Sequence, residues 1–310
     1  MGVEGLQVFI KKRYNLYKPL PNNFHTDHIY IDVNNYLHKT ITKKPNIQNV
    51  EINALKRLKH FLNEIIYSTK IRHTIFFSVD GPGPRSKMTT QRERRLKNLN
   101  LHKLLYYINK NRDEETGEND INLLKHDYDY LEGLELNVGF STLNFTPGTS
   151  FMGLLKSFFI YYTKNKLSFA KNVFISAADR MGEGEWKIFQ HINNSNYNLN
   201  DIITIASNDS DMILFCLLSK YNNIQILNKE SNQVLYVNQL REAIYKESGI
   251  NDRQAIIDFV LLSFLMGTDH LPKVSSFKMQ NGWNEYCKLK KPLYNQETKL
   301  FNYENLSQVI

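Results

Sequence analysis

Acidic residues recur at the points where apolar runs of the sequence end. Because the carboxyl ends of parallel strands lie at one edge of a sheet, where open α/β folds bind ligands, we expect these side chains to converge. Clustered carboxylates repel each other unless cations lie among them, and oxygen ligands without His or Cys favour Mg²⁺, with Mn²⁺ also possible. The acids in question are Asp32, Asp80, Glu183, Glu185, Asp209, Asp211 and Asp269. Several carboxylates around two cations ~3.5 to 4 Å apart would suit in-line phosphodiester hydrolysis.

Each acid taken alone has a simpler explanation, since an Asp after a strand is more often a helix N-cap than a metal ligand. The pairing favours the metal site. Acids two positions apart point about 200° away from each other on a regular helix, so both face one site only where the backbone is irregular. Gly182 and Gly184 allow such irregularity around Glu183 and Glu185, and a strand-to-helix junction allows it for the other pair.

A basic segment begins directly after Asp80 with the turn Gly81-Pro82-Gly83-Pro84. The turn predicts that a helix starts there, and one face of that helix, about 100° wide, carries an amide and three cations. A solvated charged face is the ordinary explanation for such a run. Beside a metal site, however, the same groups would hold a terminal phosphate by charge-assisted hydrogen bonds. The residues on this face are Lys87, Gln91, Arg94 and Arg95.

The elements that must position these groups alternate between strand-like and helical patterns. Short, apolar, β-rich runs predict the buried strands His28–Val33, Thr74–Val79, Asn172–Ser176, Ile202–Ser207 and Asn223–Leu227. Apolar residues at three- and four-residue steps predict a helix over 52–66, and a helix over 151–162 follows Pro147-Gly148 with Thr149 or Ser150 as N-cap. A third helix, 255–266, is apolar nearly all round. The alternation predicts an α/β fold in three layers, with a parallel sheet covered by helices on both faces.

Composition bounds the class of protein. The 310 residues have 42% hydrophobic content and a formal net charge of +8, which favours a polyanionic partner. No apolar run reaches the ~20 residues of a membrane crossing. Two cysteines, Cys216 and Cys287, exclude a disulfide framework and a cysteine zinc site. With no export leader at the start, we expect an intracellular protein of the cytoplasm or nucleus.

In their order along the chain these motifs resemble the N-terminal nuclease region of the XRN-type 5′→3′ exoribonucleases, within the wider PIN/flap-nuclease class. The resemblance implies a PIN/FEN-like nuclease core. The residues that carry it are Met1-Gly2-Val3, Asp32-Val33-Asn34-Asn35-Tyr36-Leu37-His38, the segment from Asp80 to Arg95, Thr146-Pro147-Gly148-Thr149, Gly182-Glu183-Gly184-Glu185, Asn208-Asp209-Ser210-Asp211 and Gly267-Thr268-Asp269-His270-Leu271-Pro272.

The resemblance implies a role for each candidate residue. The seven acids would bind two Mg²⁺ ions, and Lys87, Gln91, Arg94 and Arg95 would form a pocket for a 5′-monophosphate. His38 would stack on the terminal base; its alternative is a satisfied histidine at a helix start. The implied reaction is the hydrolysis of single-stranded, 5′-monophosphorylated RNA to nucleoside monophosphates. Asp258, inside the apolar helix, is expected to be structural rather than a ligand.

The sequence departs from the family pattern in two places. Trp186 stands where the family usually has His, which we expect to alter packing behind the site. We expect residues 1–275 to form the nuclease domain and 276–310 an extension packed on it, without the second conserved region that closes the family's channel and supplies a stacking Trp. Trp283 does not correspond to that residue. A protein partner could supply the missing wall.

Two other functions remain open. The first is a flap-type structure-specific endonuclease or DNA exonuclease on the same core, although residues 273–278 lack the Gly-rich hairpin typical of that class. The second is a non-catalytic relative that binds RNA 5′ ends. This relative would keep all seven acids without using them, and such a cluster is costly to bury without metal.

Overall fold

A mixed sheet forms the centre of the chain in a computed structural model that describes residues 2–41, 49–85, 87–88, 91–93, 95–97, 99–100, 140–167, 169–250 and 253–310. Its seven strands lie in the order β1-β7-β6-β5-β2-β3-β4, and β8 and β9 form a separate small hairpin. The strands are β1 Tyr17–Pro19, β2 His25–Asp32, β3 Lys70–Ser78, β4 Asn172–Ser176, β5 Ile203–Ala206, β6 Ile224–Asn228, β7 Gln233–Tyr236, β8 Tyr294–Asn295 and β9 Leu300–Phe301.

The five strands predicted from apolar runs are the five that pair in parallel, β6-β5-β2-β3-β4. Their predicted positions are confirmed to within a few residues. The strands that were not predicted, β1 and β7, form the antiparallel edge beside β6. They are only three and four residues long, and so offer too little sequence for a period to be recognised.

The order of the strands places a switch point between β2 and β5. From β2 the chain crosses to β3 and β4 on one side, then returns to β5 and β6 on the other. Ligands of open α/β sheets bind outside the carboxyl ends of the strands at such a point. The topology therefore assigns the site to the ends of β2, β3 and β5, as the acids predicted.

Helices account for most of the remaining described residues. They are α1 Leu6–Tyr14, α2 Val33–Leu37, α3 Val50–Tyr67, α4 Ser150–Lys166, α5 Gly184–Asn194, α6 Ser210–Leu218, α7 Val237–Ser248, α8 Arg253–Phe264, α9 Met279–Leu289 and α10 Tyr303–Ser307. The described residues of 85–100, which contain the basic segment, are also helical. No helix in the described part of the chain combines the length and apolar character that a membrane crossing needs.

The two faces of the sheet carry separate hydrophobic cores. Ile29 and Ile31 of β2 pack in the core that α3 and α4 complete, whereas Tyr30 between them packs in the core of α1 and α5–α9. Alternation along one strand thus fills both cores, because successive side chains point to opposite faces. The predicted three-layer α/β class is confirmed. Within α3, Ile52 is half exposed and Ala54 is buried.

The segment after residue 275 packs against the second of these cores. Trp283 is fully buried, stacks on Tyr286 at 5.1 Å between ring centroids, and donates through Nε1 to Glu247 Oε2 at 2.8 Å. Asp258 in α8 is also fully buried and accepts from Tyr286 Oη (2.9 Å) and from the Leu293 N–H (3.2 Å). Asp258 is structural, as expected. The division of the chain at residue 275 stays a prediction.

Trp283→Ala tests how far the core depends on this segment. Removing a fully buried Trp leaves a cavity, so we expect the free energy of unfolding to fall by about 3 to 5 kcal/mol. The matched control is Trp186→Ala, at an indole that is 55% exposed, and we expect it to cost under about 1 kcal/mol. Chemical denaturation followed by circular dichroism measures both. Equal losses would show that residues 276–310 are not part of the core.

Candidate active site

Three acids of the predicted set meet because their strands are neighbours in register. Asp32 is the last residue of β2 and pairs with Ser78, the last residue of β3, so Asp80 follows two positions on. On the other side of β2, Ile31 is level with the end of β5, three residues before Asp209. The carboxyl ends of three adjacent parallel strands thus each deliver one carboxylate to the same edge.

Hydrogen bonds between loops bring the fourth and fifth acids to this edge. Gly81 donates its N–H to Gly182 O, and Gly182 donates to Pro82 O, both at 2.9 Å. These two bonds fix the glycine-acid motif against the turn that follows Asp80. Glu183 then occupies the N-cap position of α5, and Glu185 lies in the first turn of that helix.

Three of the acids occupy helix N-cap positions, which was the simpler explanation for an acid that follows a strand. Asp32 precedes α2, Glu183 precedes α5 and Asp209 precedes α6, yet none of the three side chains makes the cap hydrogen bond. Capping therefore does not account for these carboxylates. They gain from the positive ends of the helix dipoles while their oxygens stay available to other partners.

Most of the predicted site residues line one pocket of about 370 Å³. Its walls also include residues 142, 143 and 145–147, which precede α4. The predicted residues among its lining are Asp32, Asp80, Glu183, Glu185, Asp209, Asp269, His38, Lys87, Gln91 and Arg95. Arg94 lies outside the described residues.

Asp211 is the predicted acid that does not line this pocket. Its Oδ1 accepts the backbone N–H of Val3 at 2.8 Å, and the neighbouring Ser210 Oγ donates to Val3 O at 3.0 Å. Burial raises the pKa of Asp211, and the nearby Asp269 also raises it. The side chain thus adjoins the cluster but anchors the N-terminal segment, a contact that the sequence did not reveal.

Burial and mutual repulsion both oppose ionisation of the acids in the pocket. Burial raises the pKa of Asp32 well above its ordinary value, and the carboxylates of Asp80 and Asp209 raise it further. Burial likewise raises the pKa of Asp80 and, well above its ordinary value, that of Glu185. Positive charge brought into the pocket would favour the ionised forms of these acids.

Lys87 places a positive charge beside two of these acids. Its Nζ lies 2.9 Å from both carboxylate oxygens of Glu183 and 2.9 Å from Asp269 Oδ2. Burial alone would lower the pKa of Lys87, but its hydrogen bonds to Asp269 and Glu183 raise it overall. The predicted phosphate ligand is therefore placed between two acids. Gln91 Nε2, at 3.4 Å from Glu183 Oε1, reaches the same carboxylate.

Asparagine side chains, which sequence reasoning had not treated as site residues, hold the acids in place. Asn35 Nδ2 lies 2.6 Å from Asp32 Oδ2 and 3.2 Å from Asp209 Oδ2, and so bridges two strand ends. Asn34 Oδ1 accepts the backbone N–H of Asp80 at 2.9 Å. Their signal was present in the sequence, because two adjacent Asn side chains directly after a strand-ending Asp are polar groups at the edge where ligands bind.

A buried lysine behind the pocket was also missed. Lys187 Nζ donates to Val79 O at 2.8 Å and to Ala177 O at 2.9 Å, and so ties the loops after β3 and β4 together. Burial lowers the pKa of this ammonium to about 8. In the sequence, Lys187 resembled an ordinary charged residue of an amphipathic helix.

The glycines between the acids differ in role. Gly182 has φ +100, so it provides the predicted irregular backbone. Gly184 is instead helical, and a Cβ there would lie 3.1 Å from both Asp32 Oδ1 and Asp80 Oδ1. Its N–H also donates to Asp80 Oδ1 at 2.6 Å. Gly184 is needed for close approach rather than for an unusual φ, so this part of the prediction is wrong.

The donor set suits a hard divalent cation in one respect and falls short in another. Asp32 Oδ1 is buried and has no hydrogen-bond partner among the described residues. An ionised oxygen in that state calls for a cation, and all the acids offer oxygen ligands. Across the described ranges, however, no three Asp, Glu, His or Cys side chains are close enough to form a finished ion site. Binding would require the acids to draw together.

Two aromatic residues complete the surroundings of the pocket. His38 is exposed at its wall, with its ring 5.5 Å from that of Phe145 in an edge-on arrangement. His38 is therefore accessible from the pocket. Trp186 does not pack behind the site as expected from the sequence, since its side chain is 55% exposed.

The chain is similar in sequence to curated exoribonucleases. Curated relatives include human 5'-3' exoribonuclease 1 (25% identical, over 88% of this chain and 17% of the relative) and Kluyveromyces lactis 5'-3' exoribonuclease 2 (27%, over 81% and 30%). Arabidopsis thaliana 5'-3' exoribonuclease 2 is 28% identical over 68% of this chain and 21% of its own length. The chain thus spans less than a third of each of these relatives.

Solved structures that match this chain include protein–DNA complexes. The catalytic core of Rad2 in complex with DNA substrate matches 99% of this chain and 78% of its own, with 14% identity and a TM-score of 0.49. Human GEN1 in complex with Holliday junction DNA matches 99% and 62%, with 12% identity and a TM-score of 0.49.

A family model gives the wider assignment. The model described as XRN 5'-3' exonuclease N-terminus matches residues 1–230. This range contains every predicted site residue except Asp269, and it covers more than half of the chain. The chain belongs to the XRN 5'-3' exonuclease N-terminus family.

Proposed function

We propose that this chain is a divalent-metal-dependent 5′→3′ exoribonuclease that hydrolyses single-stranded RNA with a 5′-monophosphate to nucleoside monophosphates. One observation carries the proposal: six carboxylates line the same pocket as Lys87, Gln91 and Arg95. The relatives named 5'-3' exoribonuclease support RNA as the substrate.

The acids are the groups that would hold the metal. Asp32, Asp80, Glu183, Glu185, Asp209 and Asp269 line the pocket, and Asp211 adjoins it. Bound Mg²⁺, two ions in this proposal with Mn²⁺ as a substitute, would supply an activated water and stabilise the leaving oxygen. The orphaned Asp32 Oδ1 is the ligand atom best prepared for this role.

The remaining residues bind and orient the RNA. Arg95 and Gln91 reach the pocket from the basic segment and would bind the 5′-phosphate, with Arg94 proposed beside them; Lys87 would neutralise it from between Glu183 and Asp269. Arg offers planar, bidentate donors for such a group. His38 would stack on the terminal base from the exposed wall. Asn35 Nδ2 bonds both Asp32 and Asp209, and so helps to orient these two carboxylates.

Asp209→Asn tests the acid cluster. Loss of a hydrogen-bond partner of a metal ligand lowers metal affinity or activity by about 10- to 100-fold. Removal of the charge of a ligand itself should therefore lower the rate of mononucleotide release by at least about 100-fold. Release is measured with Mg²⁺ or EDTA on 5′-monophosphate RNA and on matched DNA. The control is Asp179→Asn, because Asp179 is an exposed acid paired with Lys156 at 2.6 Å.

Contrary outcomes of this experiment are specific. Unchanged release by Asp209→Asn would exclude the cluster as the catalytic centre. RNA retained at full length with Mg²⁺ would indicate a protein that binds 5′ ends without cleaving them. Equal cleavage of RNA and DNA, or internal cuts, would favour the flap-type nuclease.

Arg95→Ala tests the phosphate pocket. A charge-assisted hydrogen bond contributes about 1.5 to 3 kcal/mol, so the preference for 5′-monophosphate over 5′-hydroxyl RNA should fall roughly 10- to 100-fold. The ratio of kcat/KM values for the two substrates measures it. Arg92→Ala is the matched control, since Arg92 is exposed on the same helical segment and does not line the pocket. The same ratio in Arg95→Ala and the parent would contradict the assignment.

A further inference from the structure

An apolar groove of about 540 Å³ opens beside the catalytic pocket. Glu183 and Glu185 line both cavities, so the groove adjoins the place where the phosphodiester would be cut. Its apolar and aromatic wall consists of Pro82, Pro84, Met181, Trp186 and Phe215.

Two large apolar side chains are exposed on this wall. Trp186 is 55% exposed and Met181 is 83% exposed. Scattered exposed apolar residues are common on protein surfaces, but these two lie together in a concavity that adjoins a cluster of carboxylates. An indole in such a place gains from an occupant that covers its face.

The indole lies beside the backbone of Gly182. Trp186 directly follows Glu185 in the first turn of α5. A Cβ on Gly182 would lie 3.1 Å from Trp186 Cδ1, and Gly182 has φ +100. The glycine therefore leaves room for the ring at the edge of the pocket, where a larger residue would crowd it.

Charge identifies the class of occupant. The described residues that line the groove include two carboxylates and no Lys or Arg. A phosphate would be repelled there, whereas the neighbouring pocket offers Lys87 and Arg95 to phosphates. A nucleobase is planar and uncharged and is joined to a chain of phosphates. It would fit the groove while its phosphates lie in the neighbouring pocket.

We propose that this groove binds a nucleobase of the single-stranded substrate, adjacent to the cleaved phosphodiester, by stacking it on Trp186. The inference rests on the proposed function and extends it with a substrate-positioning residue. Because any base has a π-face, the groove selects for unpaired nucleotides rather than for sequence.

Intrinsic fluorescence can report on the groove, since the chain has two tryptophans and Trp283 is fully buried. In the Asp209→Asn protein with Mg²⁺, a 5′-monophosphorylated oligouridylate should quench the emission of Trp186. Trp186→Ala should abolish the quenching and weaken binding about 5- to 150-fold, while Trp186→Phe retains much of the affinity. The control is Tyr303→Ala, because Tyr303 is 74% exposed and outside both cavities.

A substrate series separates stacking from a structural effect. Abasic nucleotides are placed in turn at the first four positions of the RNA. One position should weaken binding to the Trp-containing protein, and Trp186→Ala should lose little more with that RNA. In the cleaving protein, Trp186→Ala should raise KM more than it lowers kcat.

The outcomes distinguish this inference from the function on which it rests. Absence of quenching, or equal losses for abasic and intact RNA, overturns the groove assignment even where the parent releases mononucleotides; this is also the result expected if a protein partner fills the groove. The unsubstituted protein could instead release no mononucleotides and still show quenching and one sensitive abasic position. That result overturns the exonuclease proposal and supports binding of a nucleobase in the groove.

Discussion

Negative charge buried at one edge of the sheet is the constraint on which this structure depends. The parallel order of β5, β2 and β3 forces Asp209, Asp32 and Asp80 together whatever their chemistry. Such a cluster opposes folding unless positive charge compensates it. Helix N-termini, the Gly184 N–H and the Lys87 ammonium provide part of that compensation. Burial adds to the cost, because it raises the pKa of both Asp32 and Asp80.

Close backbone approach is the second requirement, and glycine meets it. A Cβ at Gly81 would lie 1.8 Å from Arg180 O, so any larger residue would separate the turn after Asp80 from the motif that carries Glu183. Gly184 likewise leaves room for two carboxylate oxygens. The acids can therefore lie around one small volume because glycine stands at these two points of close approach.

The sequence predicted the central elements because their signals are local. Five apolar runs became the five parallel strands, and the strand-ending acids reached one pocket as sheet geometry requires. What failed depended on contacts distant in sequence. The contact of Asp211 with Val3 joins residues 208 positions apart, and the placement of Lys87 between Glu183 and Asp269 spans 96 and 182 positions. No periodicity or fixed spacing in the sequence indicates either contact.

The position of Lys87 bears on how the proposed pocket would discriminate between RNA ends. The Lys87 ammonium already pairs with Glu183 and Asp269, so it has less attraction left for a phosphate, because its own charge and those of the two carboxylates sum to a net negative charge. Selectivity for the 5′-phosphate must therefore come from donors that are less engaged with the acids. Gln91 reaches Glu183 only at 3.4 Å, and Arg95 lines the same wall. Lys87 would then lie between the acids and the phosphate, while Arg95 binds the 5′-phosphate of the RNA.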